Sequence, residues 1–133
     1  MNFTNMETET KLSSVEQQLL SLILPAGLLD YFEIKSVRDI KIGYEVLLEE
    51  KADIPVEFIN EPMRCHGFYP EQTIHDFPLR GKVFDLIVKR RRWLNTSTKE
   101  VVSRDWDLVA KGTRFTQEFA TFLKGLPGYS SHK

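Results

Sequence analysis

Residues 83–95 read VFDLIVKRRRWLN, a mostly apolar, strand-like segment that runs directly into four cations and a tryptophan. The alternation of its large apolar residues predicts that they share one buried face. The cations that follow, Lys89–Arg92, then fall alternately on the two faces. We therefore predict a strand over 82–93 whose end leaves the core and presents cations on both of its faces.

A partner strand is expected immediately before this one. Residues 71–77 (EQTIHDF) are separated from it by PLRG (78–81), which has Pro and Gly where a turn requires them. The two strands predict an antiparallel hairpin with a basic end. After the loop NTSTKE (95–100), a third, shorter strand is expected over 100–106. The stretch 52–69 contains two prolines and little periodicity, which is typical of a connector with at most one short strand.

An earlier hairpin is predicted over 32–39 and 43–51, where large apolar residues alternate with polar ones. The carboxylates of Glu45, Glu49 and Glu50 are expected on its exposed side. This hairpin therefore predicts an acidic surface, in contrast to the basic end of the later one.

One helix is predicted at each end of the chain. SSVE (13–16) has the form of a capping box, and apolar residues at helical spacing follow as far as residue 24. Near the other end, Thr113 is expected to cap a helix over 113–125. Its apolar stripe consists of Phe115, Phe119, Phe122 and Leu126. The predicted fold class is α+β: two antiparallel β-hairpins plus a short strand, flanked by an N-terminal and a C-terminal helix.

These elements predict a single small α+β domain over 13–126, a length that can bury a core. A disordered N-terminus (1–12) precedes it, and a disordered tail (127–133) follows. Its parts, in chain order, are the helix and acidic hairpin (13–51), the basic hairpin and strand (70–106) and the last helix (113–125).

The composition predicts a cytoplasmic protein without catalytic or metal chemistry of its own. No apolar run is long enough to span a membrane, and no basic and apolar leader is visible. The single cysteine, Cys65, leaves no internal disulfide and no cysteine pairs for zinc. His75 and Asp76 are strand neighbours that point to opposite faces, and no glycine-rich phosphate loop is present. We therefore expect no enzyme activity, no cofactor and no metal.

Charge is divided unevenly along the chain. Residues 1–79 contain six Lys/Arg and fourteen Asp/Glu, a net charge of -8, whereas residues 80–133 contain twelve and five, a net charge of +7. Clustered cations beside aromatic residues are typical of phosphate contact. Attraction between the acidic and basic halves within one fold is the alternative explanation of this uneven charge. The residues predicted to bind nucleic acid are Arg80, Lys82, Lys89, Arg90, Arg91, Arg92, Trp93, Arg104, Lys111 and Arg114.

The segment TIHDFPLRGKVFDLIVKRRRWL (73–94) resembles the N-terminal region of bacterial insertion-sequence transposases. The shared form is a short strand ending in Asp-x-Pro, a glycine turn and an apolar strand ending in an arginine run. Over roughly 20–126, including SRDWDLVAKGTRFTQEFATFLK (103–124), the chain is similar to the separately encoded N-terminal region protein of one such group. The resemblance implies a module that recognises the element's terminal inverted repeats, with the catalytic acidic triad elsewhere.

Related transposases carry a cysteine-rich zinc ribbon in this region, with one cysteine pair before the hairpin and another after the arginine run. This sequence has only Cys65 near the first position and LNTSTKE (94–100) at the second. The resemblance therefore implies a degenerate ribbon-like hairpin, in which packing replaces the metal. In the family the following helix opens a helix-turn-helix-like segment, which would begin at Thr113.

The expected partners are DNA carrying the element's terminal inverted repeats and a catalytic transposase chain, with no membrane; a homodimer stays open. Two other functions also stay open: a protein-interaction module that docks onto the catalytic chain, and an inactive remnant of a mobile element. If the basic hairpin contacts DNA, replacing Arg90 and Arg92 by alanine should abolish binding with little loss of stability.

Overall fold

The computed structural model describes residues 13–76, 78–112 and 117–124. Its strands are β1 (Phe32–Ile40), β2 (Gly43–Glu50), β3 (Met63–Phe68), β4 (Gln72–His75), β5 (Val83–Lys89), β6 (Arg91–Asn95) and β7 (Val101–Val102). Its helices are α1 (Ser14–Ile23), α2 (Leu28–Tyr31), α3 (Trp106–Gly112) and α4 (Gln117–Lys124), with a 3-10 turn at Val56–Phe58.

The strands form two sheets. A four-stranded sheet has the order β1-β2-β5-β4 (the large sheet), and a three-stranded sheet has the order β3-β6-β7 (the small sheet). In the large sheet, β1–β2 and β4–β5 are the two predicted antiparallel hairpins, and β2 and β5 pair in parallel between them. The predicted α+β class is confirmed, and the parallel contact joins the two hairpins into one sheet.

Helices cover one face of the large sheet. The alternating side chains of β2 and β5 turn inward and share one core with buried residues from α2, α3 and α4. The fully buried Trp106 stacks on Phe32 with ring centroids 5.4 Å apart and meets Tyr31 edge-on at 5.9 Å. The predicted stripe of the last helix is partly visible: Phe119 is buried and Phe122 is exposed, whereas Thr113, Phe115 and Leu126 lie outside the described residues.

The first hairpin forms as predicted, but the expected exposure of Glu50 is wrong. Val46 and Leu48 point into the core, and a strand alternates with period two, so Glu50 follows them inward. Glu45 and Glu49 are on the outer face and pair with cations there. The acidic surface is therefore smaller than the sequence indicated.

The long basic strand predicted over 82–93 is two strands rather than one. β5 ends at Lys89 in the large sheet, and β6 begins at Arg91 in the small sheet. Between them, the carbonyl oxygen of Arg90 accepts a hydrogen bond from the Tyr69 backbone N–H at 2.9 Å. The chain thus passes from one sheet to the other inside the basic run.

The strand expected over 100–106 is also shorter than predicted. Only Val101–Val102 pair with β6, and Trp106 begins α3 instead. Asp105 ends the strand by capping this helix, because its Oδ1 accepts from two backbone N–H groups of the first turn at 3.0 and 3.2 Å.

Candidate nucleic-acid interface

The four cations of the basic run divide between two aromatic rings. Lys89 Nζ lies 5.1 Å and the Arg91 guanidinium carbon 4.4 Å from the ring centroid of Phe68. Arg90 and Arg92 lie 4.9 and 5.8 Å from the centroid of Tyr69. This division follows the two-residue period of extended chain, and each distance is within the range of a cation–π contact.

The two aromatic rings were not predicted as site residues. They fall in the stretch taken as a connector, and a bulge in β3 brings them to the basic run. The register shifts between Cys65 and Phe68, and Gly67 takes a positive φ of 76°, which glycine adopts without a steric penalty. The adjacent aromatic residues of GFY (67–69) were the signal that could have predicted these contacts, since neighbouring strand residues place one ring on each face.

Arg90 was predicted to contact DNA, but its side chain is not accessible. Its side chain is 1% exposed, so the run does not present all four cations. The reason is the passage between sheets: Arg90 occupies the junction, where its stem and guanidinium are enclosed against Tyr69. Trp93 and Arg104 are buried as well, and the expectation that they line the surface is also wrong.

A buried carboxylate joins the two sheets beside this junction. Glu50 Oε1 accepts from the Arg91 backbone N–H at 2.8 Å, and Oε2 accepts from Arg104 Nε at 2.9 Å. Arg91 Nε also donates to the Glu50 carbonyl at 3.2 Å, and Arg104 Nη2 donates to the Asp53 carbonyl at 2.7 Å. Burial raises the pKa of Glu50 above its ordinary value, although Arg104 and the bond from Arg91 oppose this.

These contacts bear on the charge division seen in the sequence. Lys89 and Arg91 of the basic half contact Glu49 and Glu50 of the acidic half, and Arg104 pairs with Glu50. Attraction between the halves therefore accounts for part of the division. Arg104 is fully engaged with Glu50, and Lys89 is partly engaged through a 3.8 Å pair with Glu49.

The remaining predicted cations lie apart from the junction. Arg80 and Lys82 are exposed at the turn between β4 and β5. Lys82 is seven residues from Lys89, which corresponds to about 23 Å of extended chain at roughly 3.3 Å per residue. Lys111 is exposed near the end of α3, and Arg114 lies outside the described residues. The predicted residues therefore do not form one continuous basic surface.

The small sheet presents a separate basic face. Arg64 is exposed on β3 and pairs with Leu94 of β6, which lies two residues from Arg92. Cross-strand partners and residues two apart share a face, so Arg64 and Arg92 lie on the same side (the small-sheet face). Within the described part of the chain, neither arginine forms an ion pair. Arg64 was not predicted, because it stands alone in the sequence.

The possible metal ligands near this surface do not form a cluster within the described part of the chain. Cys65 is exposed on β3, with its Sγ 3.5 Å from Arg91 Nη1. Among the residues that the structure describes, no three His, Cys, Asp or Glu side chains are grouped as a metal site would need. His75 pairs across the strands with Asp85 at 2.7 Å, rather than with its sequence neighbour Asp76.

In the described ranges, none of the helices combines the length and apolar character needed to cross a membrane. Comparison of the chain with protein-family models, curated proteins and solved structures finds no match.

Proposed function

We propose that this chain is the DNA-binding, non-catalytic N-terminal module of a split insertion-sequence transposase, and that the small-sheet face makes the DNA contact. The sequence resemblance suggests the biological setting. The observation that carries the proposal is the strand pairing of Arg64 with Leu94, which puts Arg64 on the same face as Arg92, and neither arginine has a carboxylate partner among the described residues.

The chemistry of this face suits a phosphate backbone. The Arg92 guanidinium is held near the Tyr69 ring, which limits its freedom before any ligand binds. Arginine presents a planar fork of donors that matches phosphate oxygens. Arg91, half-buried against Phe68, lies on the opposite side of β6 and adds positive potential only from there. Two to four phosphate contacts are available, fewer than the run of cations in the sequence indicated.

The first test is binding of the purified chain to a labelled duplex that carries the element's terminal repeat, against a scrambled duplex, across a salt series. We expect preference for the repeat and a slope of log affinity against log salt of about −2 to −4, near 0.9 for each phosphate contact. Absence of binding at low salt would overturn the proposal.

A matched pair of double variants locates the contact. Arg64→Ala with Arg92→Ala should weaken binding and make the salt slope shallower by about 2. Arg80→Ala with Lys82→Ala removes the same charge at the opposite end of β5, and we expect little change in the slope. Equal losses from both variants would contradict a contact centred on the small-sheet face and point to non-specific attraction.

A protein-interaction module is the second candidate, favoured by the apolar residues that α1 exposes. In that case the arginines would serve a protein contact. We would then observe salt-tolerant association with the catalytic transposase chain and little affinity for either duplex.

A further inference from the structure

The first helix turns most of its apolar side chains to solvent. α1 begins at the predicted capping box: Glu16 N–H donates to Ser13 Oγ at 3.1 Å, and Ser13 N–H donates to Glu16 Oε1 at 2.9 Å. No residue of this helix is buried. Four apolar side chains on it are largely exposed: Val15 at 62%, Leu19 at 58%, Leu22 at 78% and Ile23 at 43%.

These four residues form one patch rather than a scatter. At 100° per residue they fall within an arc of about 100° on the helix surface. Leu20 and Leu24 lie beside this arc and are the residues that contact the core. Leu20 and Leu24 therefore supply the inward face of the helix, and the four exposed residues form a second apolar face (the α1 patch) that no other described element covers.

Three of the four residues in the α1 patch are spaced symmetrically. Val15, Leu19 and Ile23 form a ridge at i, i+4 and i+8, with Leu19 at its centre. When two such helices meet antiparallel about a two-fold axis, Leu19 faces its own copy and Val15 faces Ile23. Ridges of i±4 residues also fit into each other's grooves, the commonest helix packing in globular proteins.

The charge of the helix excludes several other occupants. Glu16 is the one charged residue in α1, and its carboxylate is engaged in the cap. A membrane-surface helix carries Lys and Arg on its polar face, and α1 has neither. A charged partner, whether DNA or an acidic or basic protein segment, finds no complementary group here. An uncharged, symmetric patch is complementary to itself.

We propose that the α1 patch is a homodimer interface, in which the α1 helices of two copies of this chain pack antiparallel with Leu19 at the two-fold axis. A ten-residue helix pair buries less surface than a standard stable interface, so the monomer and dimer should exchange in the micromolar range. The dimer would carry two small-sheet faces. The proposal does not depend on whether these faces bind DNA.

Sedimentation equilibrium of the full chain over a concentration series is the first test. We expect reversible dimerisation of the wild type and, for Leu19→Glu, a dissociation constant at least ~10-fold higher, because the axis would bring two carboxylates together. At protein concentrations where the wild type is monomeric, the melting temperature should be unchanged, since Leu19 lies outside the core. A wild type that stays monomeric to its solubility limit, or a Leu19→Glu variant that dimerises equally well, would overturn the proposal.

Cysteine cross-linking tests the geometry without disrupting the patch. In a Cys65→Ser background, Leu19→Cys should form a disulfide-linked dimer under mild oxidation, because a residue on the axis meets itself. Ser21→Cys is the matched control: it is exposed on the same helix but about 200° further round. Equal cross-linking at both positions would reflect random collision and would contradict the antiparallel arrangement.

Discussion

The large and small sheets use similar charged residues in different surroundings. On the outer face of the large sheet, Arg38 pairs with Glu45, and Lys35 and Lys89 flank Glu49, all in partial contact with water. At the junction with the small sheet, the Glu50 carboxylate is enclosed and binds groups from β6 and from the segment before α3. Exposed pairs contribute little to stability, whereas a buried network is costly to interrupt. The attachment of the small sheet should therefore depend on Glu50 far more than on any surface pair.

The largest expected effect comes from Glu50→Ala. This change leaves the Arg104 guanidinium buried without its carboxylate and removes the acceptor of the Arg91 N–H, so we expect the free energy of unfolding to fall by about 3–5 kcal/mol. Glu49→Ala, one residue away on the outer face, should cost no more than ~1 kcal/mol. Denaturant unfolding of both variants measures the difference. Similar losses would show that burial does not distinguish the two carboxylates.

One glycine in each sheet gives the next contrast. A Cβ on Gly43 would lie 2.0 Å from the Val83 carbonyl oxygen, so Gly43→Ala must separate β2 from β5, and we expect a loss of about 3 kcal/mol. Gly67 has open space around it but a positive φ of 76°, and Gly67→Ala should cost about 1 kcal/mol. Thermal and denaturant unfolding give both values. A reversed order would mean that the bulge in β3 is less tolerant than the parallel strand contact.

Within the basic run, replacing Arg90 should lower the free energy of unfolding more than replacing Arg92. Arg90→Ala removes an enclosed stem and a contact with Tyr69, and we expect it to lower the free energy of unfolding by about 2 kcal/mol. Arg92 is only half-buried and lies further from the Tyr69 ring, at 5.8 Å, so Arg92→Ala should change this free energy by no more than about 0.5 kcal/mol. Replacing both arginines together should therefore lower the free energy of unfolding, through the loss of Arg90, rather than leave it unchanged. An Arg90→Ala variant as stable as the wild type would contradict this difference.

The pKa of Glu50 predicts a smaller, pH-dependent effect. Burial raises this pKa above 4.5, so the folded chain holds the proton more tightly than the unfolded chain does. The resulting stability is complete below about pH 4.5 and is lost as the pH rises through the folded pKa. The free energy of unfolding of the wild type, minus that of Glu50→Gln, should fall across this window by about 1.4 kcal/mol per pH unit. A difference that rises with pH would mean that the pairing with Arg104 outweighs burial.

Local patterns predicted most of the fold. Period-two alternation located both hairpins of the large sheet, and the capping box located the start of α1. The passage at Arg90 could not be predicted in this way, because a break between two sheets leaves the alternation of side chains unchanged. The switch from strand to helix at Trp106 depends on the Asp105 cap and on burial against Phe32, which is a tertiary contact.

The candidate site was less predictable than the fold. Consecutive cations pointed to residues 89–92 as the candidate segment, yet sequence alone does not say that Arg90 is buried and Arg92 is not. That distinction depends on which aromatic residue lies opposite each arginine. Tyr69 belongs to the stretch that was predicted to be a connector, and the bulge in β3 places it against the basic run. Arg64 joins Arg92 through strand pairing with Leu94, a contact between residues thirty positions apart.

The smallest expected effect tests the opposite side of the comparison, the surface pair Arg38–Glu45. Their atoms approach to 3.0 Å, but the two side chains remain 38% and 24% exposed, so water screens the attraction. A double-mutant cycle with Arg38→Ala and Glu45→Ala should give a coupling energy of about 0.2–1 kcal/mol, and less at high salt. The equivalent cycle for Glu50 and Arg104 should give several times more. If the two coupling energies were equal, burial would not make the ion pair at the junction stronger than the ion pair on the surface of the large sheet. The small sheet would then be no more dependent on its junction than the large sheet is on its surface.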